Sequence, residues 1–244
     1  MIYIFAIYRR IYNLFFFIKS NKQERNLIAE CINLEFNTTP KNQLWKTLEL
    51  FKEVIKKNPN KGNFVECGVW KGGYLVFFQK LIEIHDLENC KIYGFDTFEG
   101  MSMPTKEDKT RYDVPLLDRY NSLKINDAIN NWNYTEIDKV KENYYQNTKT
   151  NKNLILVKGK VENTLLNKQN VPEEILILRL DTCLYTGTKI ELEVLFPKVL
   201  KGGIILVENY FTYKGVKKAT DEFFNTQRFK IKYSEINAGA VIYK

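Results

Sequence analysis

The chain has 244 residues, 44% of them hydrophobic and 27% charged, which is enough for a domain with its own core and excludes disordered, collagenous and peptide-scaffold classes. Lys and Arg (37) exceed Asp and Glu (29), and the net charge of +8 suits an acidic substrate or an anionic surface without making the chain a polycation. Four cysteines with no CxxC pair argue against a zinc knuckle or a disulfide framework, and the single histidine, His85, excludes a multi-histidine metal centre.

Residues 1–20, MIYIFAIYRRIYNLFFFIKS, form two apolar runs broken by Arg9 and Arg10. A spanning helix wants about 20 apolar residues, and central arginines cost roughly 2.5 to 3.5 kcal/mol each. No small-residue cleavage site follows, so neither a spanning helix nor a secretory or twin-arginine signal is predicted. Residues 1–40 read as an aromatic N-terminal arm. It either packs on the body or on a second subunit, making a homo-oligomer, or lies against a membrane surface through residues 1–20. The cysteine usage makes a reducing cytoplasm the default compartment, with peripheral membrane contact through the arm as the variant.

From residue 41 onward the pattern is that of one domain. Leu44, Leu48, Phe51 and Ile55 recur three or four apart and predict an amphipathic helix over 41–57, stopped by Asn58, Pro59, Asn60 and Gly62. NFVECG (63–68) reads as a buried strand, KGGYLVFFQKLIEI as a helix starting at the glycines, and KIYGFD (91–96) as a second strand. Residues 100–152 turn polar and tyrosine-rich, an insert with one helix expected over about 126–145. LILVKG (154–159) and ILILRLD (175–181) are near-continuous apolar runs, as expected of parallel strands covered on both faces. A helix near 189–198, KGG, the strand IILVEN, the helix VKKATDEFFN and a closing hairpin turning at 237–239 complete the chain. Alternation of strands and helices implies an α/β fold. The expected architecture is a doubly wound Rossmann-like sheet, mostly parallel with a C-terminal antiparallel hairpin, binding its ligand at the carboxyl ends of the strands.

Four of the twelve glycines lie between Gly62 and Gly73, around FVECGVWKGG. Glycine at a strand-to-helix turn lets backbone approach a ligand, and the following helix offers free N–H groups. Asp96, thirty residues after Glu66, ends the second strand, where an acid can accept from both ribose hydroxyls of an adenosine cofactor or simply cap a loop. The strict GxGxxG is absent, which disfavours a nicotinamide cofactor. His85 reads as a C-capping or surface residue and Cys183 as a small loop residue. Tyr185, Met101 and Met103 divide evenly between pocket lining and packing.

These stretches resemble the macrocin O-methyltransferase family, S-adenosylmethionine-dependent and metal-assisted enzymes that methylate sugar hydroxyls. The matching segments are FVECGVWKGG, YGFDTFEGM, LVKGKVENTL, ILRLDTCLYTGTKIELEVLFPKVLKGG and ILVENY, in the family's order from Phe64 past Tyr210. The resemblance implies an S-adenosyl-L-methionine site with Glu66 at the methionine end, backbone of Gly68, Val69 and Gly72 at the turn, and Asp96 with Thr97 at the ribose. Gly159, Val161 and Glu162 would border the adenine. It also implies Mg2+ on Asp181, Glu208 and Asn209, with Asp181 doubling as the catalytic group that takes the substrate proton. The chain departs from the family at Glu208 and Asn209, where two aspartates are usual, at Cys183, where an aspartate is usual, and at Gly187, where a serine is usual. The expected partner is a hydroxyl-bearing small molecule or glycan. Scattered lysines disfavour nucleic acid. The alternative is a degenerate, membrane-associated S-adenosylmethionine-binding protein without catalysis.

Overall fold

The computed structural model describes residues 2–87, 89–227, 232–233 and 239–244. Two helices open the chain, α1 (Ile2–Lys19) and α2 (Lys22–Asn33), followed by α3 (Lys41–Lys57). The body continues with β1 (Asn63–Cys67), α4 (Gly73–Ile84), β2 (Ile92–Asp96), α5 (Leu117–Ser122), α6 (Ile137–Asn147), β3 (Leu154–Lys158), α7 (Val161–Thr164) and β4 (Ile175–Leu180). It ends with α8 (Tyr185–Leu195), β5 (Val199–Val207), α9 (Lys214–Gln227), β6 (Lys232–Tyr233) and β7 (Ala240–Tyr243).

The seven strands form one sheet in the order β3-β2-β1-β4-β5-β7-β6. The first five are mutually parallel, and β7 runs antiparallel to both β5 and β6. This is the doubly wound sheet and terminal antiparallel pair that the alternation implied. The turn expected at 237–239 lies outside the described residues except for Gly239. Period-two alternation sorts the strand residues onto two faces. Phe64, Ile177, Ile204 and Leu206 pack with Leu48, Phe51, Leu75 and Phe78 from α3 and α4. Val65, Leu178, Leu180, Ile205 and Val207 pack with Leu192, Leu195 and Phe224 from α8 and α9. All six residues of β4 are buried, as a central strand covered on both faces requires.

Three segments differ from the sequence expectation. The insert carries two short helices, and residues 126–136 precede α6 as irregular chain. There Asn126 and Asn130 turn their side-chain oxygens onto the N–H groups of Ala128, Ile129 and Trp132, competing with helix formation. α8 begins at Tyr185, four residues early, and β5 begins at Val199, so the KGG segment lies inside the strand. α2 packs against α3 and α4. Asn21 and Glu24 close a reciprocal capping box at its start, and Leu27, Ile28 and Cys31 are buried.

Glu191 of α8 is fully buried, and burial pushes its carboxyl up to about 8 from 4.5. A raised acid stays neutral in the folded chain while the unfolded chain has already released its proton. Its stabilising contribution is therefore complete below pH 4.5 and is lost as pH rises toward about 8, at about 1.4 kcal/mol per pH unit. Glu191→Gln is expected to flatten this decline in urea unfolding at pH 5 to 8 and to raise stability at pH 7. An unchanged slope would show that Glu191 is ionised in the fold.

Candidate active site

The carboxyl ends of β1, β2, β3 and β4 open into one cavity of about 310 Å³. Gly68 follows β1 with φ +87°, and a Cβ there would lie 2.4 Å from the Asp181 carbonyl oxygen, so only glycine lets the two strand ends close up. Four other residues of the cavity wall, Trp70, Asn133, Cys183 and Asn209, hold positive φ (49°, 56°, 67° and 61°) without being glycine. Such strain is retained where the surroundings over-determine the backbone, and it concentrates at functional sites.

Asp96 organises the turn at the end of β2. Its Oδ2 accepts from the backbone N–H groups of Val69 and Trp70 at 2.7 and 2.9 Å, and its Oδ1 from Phe98 N–H at 2.8 Å. Burial raises its pKa and these donors oppose the rise. Gly68, Asp96, Thr97, Gly159, Val161, Glu162, Asp181 and Asn209 all line the cavity, bringing together eight of the residues singled out in the sequence. Val69 and Gly72 do not line it. Val69 contributes its N–H to Asp96, and Gly72, in the left-handed conformation, caps α4.

Glu66 and Glu208 also lie off the cavity, and the reason is Arg179. Glu66 and Arg179 are register partners on β1 and β4, so they share a sheet face beneath α3 and α4. Arg179 donates from Nη1 to Glu66 Oε1 (2.5 Å), from Nη2 to Asp181 Oδ2 (2.8 Å) and from Nε to Glu208 Oε1 (3.3 Å). The Tyr74 ring covers the guanidinium at 3.9 Å. Glu208 Oε1 further accepts from Gln43 of α3 at 2.5 Å. Burial pushes the Glu66 carboxyl up to about 8 and that of Asp181 up to about 6, each opposed by Arg179. Arg179, a charge inside the apolar run ILILRLD, was legible as a buried cation needing acids, and the sequence reading overlooked it.

This arrangement does not fit a divalent cation on Asp181, Glu208 and Asn209. Asp181 commits Oδ2 to Arg179 and Oδ1 to Asn209 Nδ2 at 2.8 Å, so Asn209 offers its amide nitrogen rather than an oxygen. Glu208 is turned into a separate small cleft with Gln43, Lys46 and Thr47. A hard cation needs free oxygens converging on one point, whereas here a guanidinium already occupies the acids. Among the described residues no group of three His, Cys, Asp or Glu side chains could hold a metal.

The insert supplies the opposite wall. Met101, Ser102, Arg119, Trp132 and Asn133 face the cavity, with Leu184 and Tyr213 from the body. Arg119 lies over the Trp132 indole at 4.3 Å. Cys183 is a buried thiol whose pKa is raised by burial and by Asp181, so it donates toward Asp181 rather than acting as a thiolate. Tyr185 bonds Glu222 through its hydroxyl, while its backbone N–H donates to Asp108. His85 is the C-cap residue of α4, its ring tilted against Phe51 with centroids 5.0 Å apart.

The model of the macrocin O-methyltransferase (TylF) family matches residues 16–244. Demethyldecarbamoylnovobiocin O-methyltransferase of Streptomyces niveus is 26% identical over 182 residues, 73% of this chain and 65% of that relative. A rhamnosyl-tetracenomycin-C 4'-O-methyltransferase of Streptomyces olivaceus is 24% identical over 163 residues, 67% and 58% of the two chains. The matched region thus spans less than two thirds of either relative's length. Among solved structures, the O-methyltransferase NovP shares the fold with a TM-score of 0.66 at 23% identity over 88% of each chain.

Proposed function

Because the chain belongs to the macrocin O-methyltransferase family, we propose that it transfers a methyl group from S-adenosylmethionine to a hydroxyl, on a sugar of a glycan or natural product. The observation that carries this reading is the convergence of the glycine turn, Asp96 and Asp181 on one cavity whose far wall is Trp132 and Tyr213. The residues present fit the cofactor: Gly68 turns the chain at the cavity's edge where a Cβ would strike the Asp181 backbone, Asp96 and Thr97 end the second strand, and the Gly159–Glu162 segment borders the same space. The bound sulfonium supplies an already activated methyl, so the protein contributes position and electrostatics. With the cofactor held by these residues, its methyl would go to the hydroxyl oxygen as the carbon–sulfur bond is given up, and Asp181 would take the hydroxyl proton. With a carboxyl near 6, Asp181 is ionised at neutral pH yet more basic than an ordinary aspartate. Arg179 and Asn209 fix its orientation.

The half-buried Tyr213 gives a sugar ring a flat apolar face on the cavity wall, and one relative is a rhamnosyl-tetracenomycin-C 4'-O-methyltransferase. No step is assigned to magnesium, because the donors do not fit it. The retained Asp181 gives no support to a decayed, non-catalytic protein. Four free cysteines, all buried, agree with work in a reducing cytoplasm.

Calorimetry with S-adenosylmethionine tests the cofactor assignment. Asp96→Ala removes a charged acceptor worth about 1.5 to 3 kcal/mol per bond and frees the turn it organises, so affinity is expected to fall more than tenfold while the circular dichroism is kept. Unchanged affinity would confine Asp96 to a structural role.

A further inference from the structure

The helix α1 has two opposite faces. Phe16 is buried and its ring stacks on Trp45 of α3 with centroids 6.5 Å apart, while Tyr12 packs on Phe16 at 4.5 Å. At 100° per residue these two point one way, and Ile7, Ile11, Leu14 and Ile18 point the other. Those four are 57%, 61%, 59% and 71% exposed, a continuous aliphatic stripe facing away from the body. Phe15 and Phe17, also exposed, flank it. Together they span an arc about 160° wide, broader than the narrow seam of a paired coiled coil, which the exposed Arg10 enters near its Phe17 margin.

The charge around this face has one sign. Residues 1–23 contain Arg9, Arg10, Lys19 and Lys22 and no acid. Lys19 lies over Phe15 at 4.5 Å and Arg25 over Phe17 at 4.9 Å, placing cations at the margins of the apolar face. A second copy of α1 would bring the cations at the edges of this face against one another with no acid to pair, whereas anionic lipid headgroups complement them. No helix among the described residues is long and apolar enough to cross a membrane. A helix about 27 Å long lying in the plane can instead bury its outer face at the headgroup boundary while its inner face stays on the protein. The stretch before residue 16 also lies outside the family match.

We propose that α1 docks the enzyme on an anionic membrane surface through Ile7, Ile11, Leu14, Phe15, Phe17 and Ile18, with the flanking lysines and arginines on the headgroups.

The full chain is spun with phosphatidylcholine vesicles with or without 30% phosphatidylglycerol, alongside the variant Ile11→Glu/Leu14→Glu/Ile18→Glu. These side chains are solvent-exposed, so the variant keeps the fold, and its unfolding midpoint checks this. Wild type is expected to sediment with the anionic vesicles, at least tenfold more than with neutral ones, and the triple variant at least tenfold less. Failure of wild type to bind, equal binding to neutral vesicles, or equal binding by the variant would overturn the proposal. So would a wild-type dimer in sedimentation velocity that the variant loses without any vesicle binding, which would put a second copy on this face. None of these readings depends on methyl transfer, so the docking and the catalytic proposals fail separately.

Discussion

Arg179→Met is expected to lower the stability of the chain by about 3 to 5 kcal/mol, the usual cost of removing one partner from a buried ionic group. The guanidinium serves Glu66, Asp181 and Glu208 at once, and Glu66 has a fully buried Oε2 that accepts no hydrogen bond within the structure. Without the cation, three acids face one another under α3 and α4, and Glu66 must stay protonated. At about 2 to 4 °C per kcal/mol for a chain of this size, the melting temperature should drop by roughly 10 °C. Glu66→Gln added to Arg179→Met is expected to recover part of the loss, because it removes one uncompensated acid. A single variant as stable as wild type, or a double variant no better than the single, would mean that the acids are solvated and Arg179 is not their counter-ion.

Asp181→Asn should act on chemistry rather than on the fold. Arg179 keeps Glu66 and Glu208, and the amide preserves the shape of the side chain. What disappears is the carboxylate proposed to take the hydroxyl proton, an effect typically worth about 10² to 10⁴ in rate. The turnover number is expected to fall by that factor while S-adenosylmethionine affinity changes less than threefold. A loss of affinity equal to the loss of rate would make Asp181 a cofactor-binding residue instead.

The sheet was legible because its signals are local: apolar runs of five or six residues, glycines at the β1–α4 turn, and an acid ending β2. The wall of the cavity built from the strand ends followed from those same positions. The network beneath it was harder to read, because it depends on register. Only the pairing of Glu66 opposite Arg179 reveals that FVECG and ILRLD share a buried ion pair, and that pair draws Glu208 away from the point where a metal ligand would stand. Trp132 and Arg119 reach the cavity from the insert at 100–152, whose path is set by asparagine turns and by packing of Leu116, Trp132 and Leu184, neither of which leaves a periodic signature. Residues 1–40 read as one arm, yet α2 is capped and buried against α3 and α4, while α1 alone presents an open apolar face.

The central claim is that a methyl group leaves S-adenosylmethionine for a sugar oxygen in this cavity. Wild-type chain, S-adenosylmethionine carrying a ¹³C-methyl group, and a panel of free, nucleotide-linked and aglycone-linked deoxysugars are incubated together and followed by NMR. The expected result is a new O-methyl resonance correlated to a single sugar carbon, with S-adenosylhomocysteine formed in equal amount and both signals lost in Asp181→Asn. Tight cofactor binding with the label appearing on nitrogen or carbon, or with no S-adenosylhomocysteine formed from any hydroxyl acceptor, would contradict it.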